Sequence, residues 1–322
     1  MNTPHAQIPV AAVFMVEPGA YEWPAILLAA SLRAFANDDV RVYAYCRAEL
    51  IDQLHPATLA FCAANGVTLD EIHPAFEVVY PQGNKLFACA APRPEPATVL
   101  FDTDMFMLQP ALLSDTLQPG TVAGRPTGNW MWGRTPQDWA PAYESVGLPL
   151  PRLRMSRPDQ TFTMPSMSAG YVAYMDSTFA DLWCDTAIKI ERRRLAKGIY
   201  PTLDQISLPI AAQRAGLRLN LIDVRWNKAG KITDQAIRQV IFYHYQKADT
   251  LLALPVKWLA DRLLQEFSQW SSVEDLLAFY DREAARPATV IHNTGWRNVV
   301  EAGQLAVDIP HRQANGSRKP TP

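Results

Sequence analysis

The stretch Ala97-Thr-Val-Leu-Phe-Asp-Thr-Asp-Met-Phe-Met-Leu-Gln-Pro110 decides how the chain is read. Thr98 to Phe101 is a short apolar run of β-favouring residues, the pattern of a strand buried in a parallel sheet. It ends in Asp102-Thr103-Asp104, apolar residues resume from Met105 to Leu108, and Pro110 stops them. Two carboxylates therefore stand where a buried strand runs out. In open α/β sheets that carboxyl end is where ligands bind. Residues two apart in an extended chain point the same way, roughly 6–7 Å apart. Like charges held that close repel unless a cation lies between them. A divalent metal clamping a phosphorylated substrate fits this pattern, because Mg²⁺ is held by one or two carboxylates with phosphates completing its shell. The same residues also fit a strand-end turn in which Asp102 or Asp104 caps the next helix or loop.

Working outward, a chain of 322 residues with 48% apolar and 19% charged residues has material for a sizeable core, as two domains or one large α/β domain. A net charge of −2 argues against a nucleic-acid binder that relies on a strong basic field. Cys46, Cys62, Cys89 and Cys184 form no C-x-x-C pair, so they read as reduced, buried thiols of a cytoplasmic protein rather than a zinc or disulfide framework. No apolar run reaches the length of a membrane span. The first residues lack the basic and apolar regions of a signal peptide. Residues 311–322 are polar and rich in Pro, Arg and Lys, and read as a disordered tail.

Upstream of the Asp pair, strands are expected at Val10–Val16, Val40–Tyr45 and Val67–Ile72. Helices are expected at Ala25–Ala36, Glu49–Asn65 (stopped by Gly66) and Asn84–Ala91. That alternation calls for a parallel sheet with helical crossovers. Downstream, a helix is expected at Pro136–Ser145 and a strand at Ser168–Tyr174, entered through a glycine. Asp176 caps a long helix, and Thr202-Leu-Asp-Gln opens another that Gly216 stops. Strands at Leu217–Ile222 and Val240–Tyr243 precede amphipathic helices at Val256–Phe267 and Val273–Ala284.

Four pieces stand in order: a strand ending in Asp102-Thr-Asp104, then Ser168-Ala-Gly-Tyr-Val-Ala, then Asp204-Gln205 at a helix start, then His244 after a strand. Together they resemble the GT-A glycosyltransferases, closest to the glycogenin/galactosyltransferase-like group, over roughly residues 10 to 250. The resemblance implies an α/β, Rossmann-like GT-A fold: a mixed, mostly parallel central sheet flanked by helices. Residues 1–250 would form the catalytic domain, 251–310 a helical extension packed on it, and 311–322 the tail.

It also implies roles. Asp102, Asp104 and His244 would bind Mn²⁺ (or Mg²⁺) on the diphosphate of a nucleoside-diphosphate sugar, a UDP-sugar first among them. An oxygen and imidazole donor set suits Mn²⁺ better than Mg²⁺. Read alone, His244 is equally a histidine in the aromatic run Phe242-Tyr-His-Tyr245. Lys85 matches a lysine that pairs with a phosphate or an acidic residue of the site; alone, it is a surface charge. Val16 and Glu17 lie where the family holds the base. Ala169 and Gly170 match a small-residue turn beside the donor sugar, which a glycine permits by close approach. Asp204 and Gln205 match the pair that binds the donor sugar or flanks the reacting centre, though Asp204 also suits a helix cap. Lys247 stands near the expected diphosphate. The loop Asn129-Trp-Met-Trp132 has no family counterpart and is a candidate for the acceptor side, its tryptophans suited to sugar faces or to core packing. The implied activity is transfer of a sugar, with retention, to a carbohydrate or small-molecule acceptor. Two rivals compete with it. A haloacid-dehalogenase-like phosphatase also carries Asp-x-Asp after a strand, there as a nucleophile with Mg²⁺. A non-catalytic GT-A-like module would bind a nucleotide only.

Overall fold

The computed structural model describes residues 8–127, 132–152, 155–156 and 162–284. β1 (Val10–Met15), α1 (Glu22–Phe35), β2 (Val40–Arg47), α2 (Pro56–Ala64), β3 (Val67–Ile72), α3 (Asn84–Ala90) and β4 (Ala97–Phe101) come in the expected alternation. A short strand, β5 (Met105–Met107), comes next, then β6 (Thr121–Pro126) and α4 (Pro136–Glu144). The two-residue strands β7 (Met155–Ser156) and β8 (Phe162–Thr163) pair ahead of β9 (Met167–Tyr174), α5 (Ser177–Arg193) and α6 (Leu203–Arg214). β10 (Arg218–Leu221), β11 (Lys228–Ala229), α7 (Asp234–Ile237), β12 (Phe242–His244), α8 (Ala248–Leu252), α9 (Lys257–Phe267) and α10 (Val273–Ala284) complete the described chain.

Seven strands form the central sheet in the order β10-β6-β9-β4-β1-β2-β3. Neighbours are parallel except around β9, which runs antiparallel to both β4 and β6. A second sheet, β11-β12-β5, pairs β12 antiparallel to β5 and sets His244 opposite Met105.

The central strands are apolar on both sides because both faces are covered. Val10, Ala12 and Phe14 of β1 point into one core with α1, α2, α9, α10 and the small sheet. Ala11 and Val13, alternating with them, point into a second core with α3, α4, α5 and α6. Within the first core, Glu22 is a buried carboxylate with both oxygens engaged. It accepts from the Gly19 N–H at 2.9 Å, from the His55 N–H at 2.9 Å and from the Thr58 hydroxyl, and Thr58 in turn meets the Tyr280 hydroxyl at 2.6 Å. A buried carboxylate is tolerable when so satisfied. This chain of bonds joins α10 to the loop after β1.

Two sequence expectations change. The helix expected over Glu49–Asn65 is a 3₁₀ turn, Ala48–Gln53, followed by α2 from Pro56. Proline disfavours helical geometry in the residue before it, and His55 is extended there with ψ 137°. The run from Met105, to which the sequence assigns no conformation, forms β5 and builds the second sheet. The helix stop at Gly66 stands at φ +60°, a conformation that favours glycine. Asp176 caps α5 by accepting from the Thr178 N–H at 2.9 Å.

Of the tryptophan loop, Asn129, Trp130 and Met131 lie outside the described residues, as do residues 311–322. Trp132 packs edge-on against Trp139, with centroids 5.0 Å apart, and donates its Nε1–H to the Lys197 carbonyl at 2.8 Å.

Tyr245 is 1% exposed, stacks on Trp23, and its hydroxyl has no hydrogen-bond partner among the described residues. Tyr245→Phe therefore removes an unsatisfied polar group at no cost in packing. It is expected to leave stability unchanged or raise it by about 1 kcal/mol in a urea titration. A clear loss would reveal a hidden partner.

Candidate functional site

β4 ends at Phe101, and the Asp102 N–H donates to the Gly170 carbonyl of β9 at 2.8 Å. Thr103 turns inward, its hydroxyl donating to the Met15 carbonyl at 2.6 Å, which ties the turn to the end of β1. The Asp104 carbonyl accepts from the Tyr245 N–H at 3.1 Å. The β5–β12 pairing then brings His244 over the two carboxylates. Its Nε2 lies 3.0 Å from Asp104 Oδ1 and 3.9 Å from Asp102 Oδ2. One ligand atom from each of Asp102, Asp104 and His244 lies within 4.8 Å of the others.

Lys85, on α3, is 7% exposed and projects under the cluster. Its Nζ sits 2.7 Å from Asp102 Oδ1 and 2.8 Å from Asp204 Oδ2. Asp204 is 2% exposed, and its other oxygen accepts from the Tyr80 hydroxyl at 2.7 Å. The cap position of α6 is held by Thr202, with Asp204 inside the first turn, where the helix dipole favours a negative charge.

Charges shape one another here. Burial disfavours the Lys85 ammonium, but Asp102 and Asp204 outweigh it and lift its pKa above the ordinary value. Burial pushes the Asp102 carboxyl up, and the pull of Lys85 and His244 does not cancel the effect. Burial also works to raise Asp104, yet the hydrogen bond from His244 holds it below the usual value. The same contact raises His244 against the effect of its own burial. Three carboxylates thus face one ammonium and one imidazole. The excess negative charge, with two oxygens and a nitrogen converging, fits a divalent cation.

Gly170 borders the cluster. A Cβ there would stand 2.8 Å from Asp102 Oδ2 and 3.2 Å from the His244 ring. Asp102 cannot swing aside freely because Lys85 holds its other oxygen. Gly170→Ala is expected to fold but to lose metal affinity by about ten-fold or more, read by calorimetry with Mn²⁺. Unchanged affinity would show that the cluster is not where the ion binds.

The remaining candidates fall around this centre. Val16 is buried, its N–H on the Tyr45 carbonyl at 2.8 Å. Glu17 is 9% exposed, with Arg47 donating at 2.9 and 3.2 Å and Asn84 at 2.8 Å. Ala169 is buried beside Gly170 in β9. Gln205 is half-buried next to Asp204, and Lys247 is exposed at the start of α8. Sequence reasoning passes over Tyr80, Arg47 and Asn84. They sit in a loop, at a strand end and at a helix start, with no periodicity to mark them.

Among solved structures, the galactosyltransferase LgtC in complex with donor and acceptor sugar analogs aligns over 90% of this chain and 99% of its own, at 13% identity and a TM-score of 0.50. Mouse xyloside xylosyltransferase 1 in its apo form aligns over 74% of this chain and 97% of its own, at 12% identity and a TM-score of 0.43. No curated protein sequence matches the chain. The Rhodobacterales glycosyltransferase domain matches residues 12–216, from β1 to the end of α6. That match displaces the phosphatase and the non-catalytic module, and the mostly parallel sheet is that of GT-A enzymes. The chain belongs to the Rhodobacterales glycosyltransferase family, and is an enzyme that transfers sugar.

Proposed function

We propose that this glycosyltransferase is metal-dependent and takes its sugar from a nucleoside-diphosphate sugar, a UDP-sugar first among them. The observation that carries the reading is the convergence of Asp102, Asp104 and His244 from the end of β4 and the end of β12. Asp102, Asp104 and His244 hold the ion, and the imidazole favours Mn²⁺ over Mg²⁺. When bound, the ion supplies Lewis acidity against the charge of the departing diphosphate.

The protein's own groups do the rest. Lys85 keeps Asp102 aimed at the cluster. Asp204 acts through Lys85, and Gln205 is the neutral polar group beside the reacting centre. Ala169 and Gly170 are the small residues beside the donor sugar. Val16 and Glu17 lie at the base, and Lys247 serves the diphosphate. Retention is favoured by the same placement: Asp204 is buried and held by Lys85 and Tyr80, so it is not set to take a proton from an acceptor. Residues 1–250 are assigned to the catalytic domain and 251–310 to its helical extension, of which 1–7 and 285–310 lie outside the described residues. The acceptor is a carbohydrate or small molecule, and the setting is the cytoplasm. Among the described residues no helix is long and apolar enough to cross a membrane.

The test is a thermal-shift panel of nucleoside diphosphates and UDP- or GDP-sugars, with and without Mn²⁺. A ligand that binds only the folded state raises the midpoint by mass action. A shift that needs Mn²⁺ supports the clamp and names the nucleotide. No shift with any nucleotide rejects the donor assignment.

A further inference from the structure

Two half-buried cations beside this site have no acidic partner among the described residues. Arg125, in β6, donates from Nη1 to the Asn227 carbonyl at 2.6 Å, its one hydrogen bond there. Lys228 donates to the Ala229 carbonyl at 3.0 Å. Lys85, Arg47 and Arg214 are also withdrawn from water and meet carboxylates, whereas Arg93 is held by the Ala88 and Cys89 carbonyls with the Tyr45 and Thr98 hydroxyls. A cation withdrawn from water and given only carbonyls is under-compensated, and burial accordingly lowers the Arg125 pKa. One edge of the Arg125 guanidinium, Nε with Nη2, has no hydrogen bond among the described residues. That edge matches the two oxygens of a carboxylate or phosphate.

Position ties the pair to the site. Gly124 and Leu100 both pair with Val172, and the register shifts after Gly124 so that Pro126 pairs with Met167, which sets Arg125 in a bulge just past the level of Leu100, two strands from the Asp102 end of β4. At roughly 4.8 Å per strand, that is about 10 Å. Lys228 and Ala229 pair with Tyr243 and His244. Asn227 donates to Ser168 Oγ at 3.2 Å, and Ser168 Oγ accepts from the Gly170 N–H at 3.3 Å. The cations therefore flank the metal cluster on the β6 side, across the sheet from β1 and Glu17.

We propose that Arg125 and Lys228 bind an anionic group, carboxylate or phosphate, on the acceptor, so that this enzyme glycosylates an acidic acceptor. The proposal rests on the assignment of Asp102, Asp104 and His244 to the donor. The same anion chemistry is carried by the donor diphosphate. The separation of about 10 Å from Asp102 favours the acceptor.

The experiment uses the full chain saturated with Mn²⁺ and UDP, or with GDP if that is the nucleotide that binds. Glucuronate and inorganic phosphate serve as charged probes and methyl glucoside as the neutral one, measured by calorimetry on wild type, Arg125→Gln, Arg125→Lys and Lys228→Met. Wild type should bind the charged probes at least about ten-fold more tightly than methyl glucoside. Arg125→Gln and Lys228→Met should each lose that preference by about ten-fold, Arg125→Lys should recover part of it, and nucleotide affinity should stay unchanged. Three outcomes overturn the proposal: no binding of either anion, equal binding of the neutral probe, or variants that weaken the nucleotide instead, which assigns the cations to the donor diphosphate. A wild type that binds no nucleotide rejects the donor assignment, and the acceptor proposal falls with it.

Discussion

Lys85→Met is expected to destabilise the folded protein by about 3–5 kcal/mol, the usual cost of removing one partner from a buried ion pair. Lys85 is the single ammonium between Asp102 and Asp204, and it is 7% exposed. Without it, Asp204 at 2% exposure keeps the Tyr80 hydroxyl and nothing to offset its charge. Methionine fills most of the volume, so the loss is electrostatic rather than a cavity. The double variant Lys85→Met with Asp204→Asn should recover part of it, because the amide oxygen still accepts from Tyr80 without the buried charge. Urea titration of the two variants and of Asp204→Asn gives the coupling energy directly. A single variant as stable as wild type would reject the ion pair as a source of stability.

Asp104→Ala is expected to abolish Mn²⁺-dependent transfer, with metal affinity falling by about 100-fold or more. Loss of an outer partner alone typically costs 10–100-fold, and Asp104 is placed to contact the ion. The signature that separates this from simple damage is stability without metal. Asp102 and Asp104 repel each other there, and removing one carboxylate relieves that repulsion while losing the contact with His244. The two effects oppose, so the midpoint without metal should move little while the Mn²⁺-induced shift disappears. An Asp104→Ala enzyme that still transfers sugar in the presence of Mn²⁺ would reject the metal clamp.

Much of this is legible in the sequence, for identifiable reasons. β1 and β4 are short, buried, largely apolar runs between turn residues, and the expected bounds of β1, β3 and β4 fall within a residue or two of the structure. The Asp102-Thr-Asp104 turn is visible because two carboxylates end such a run. His244 cannot be placed from its own surroundings. What brings it to Asp104 is β5, and Met105–Met107 carries no alternation to distinguish a strand from a loop. The sequence offers a phosphate or an acidic residue as the partner of Lys85, and only geometry chooses between them. Asp102 and Asp204 lie on different elements, and Lys85 is held by the end of β4 and the first turn of α6 rather than by its neighbours in sequence. The break before α2 is readable in principle from Pro56, but the apolar periodicity on either side conceals it.

The long reach of the β5–β12 pairing has a consequence for how the enzyme is made. Asp102 and Asp104 leave the ribosome with their strand and with Lys85, while His244 comes far behind. At 5–20 residues per second, the interval is about seven to thirty seconds. During it, β5 has no neighbour and Asp104 has no imidazole. Tyr280, which anchors the loop after β1 through Thr58 and Glu22, arrives later still. A nascent chain can therefore lay down most of its central sheet before His244 can meet Asp104.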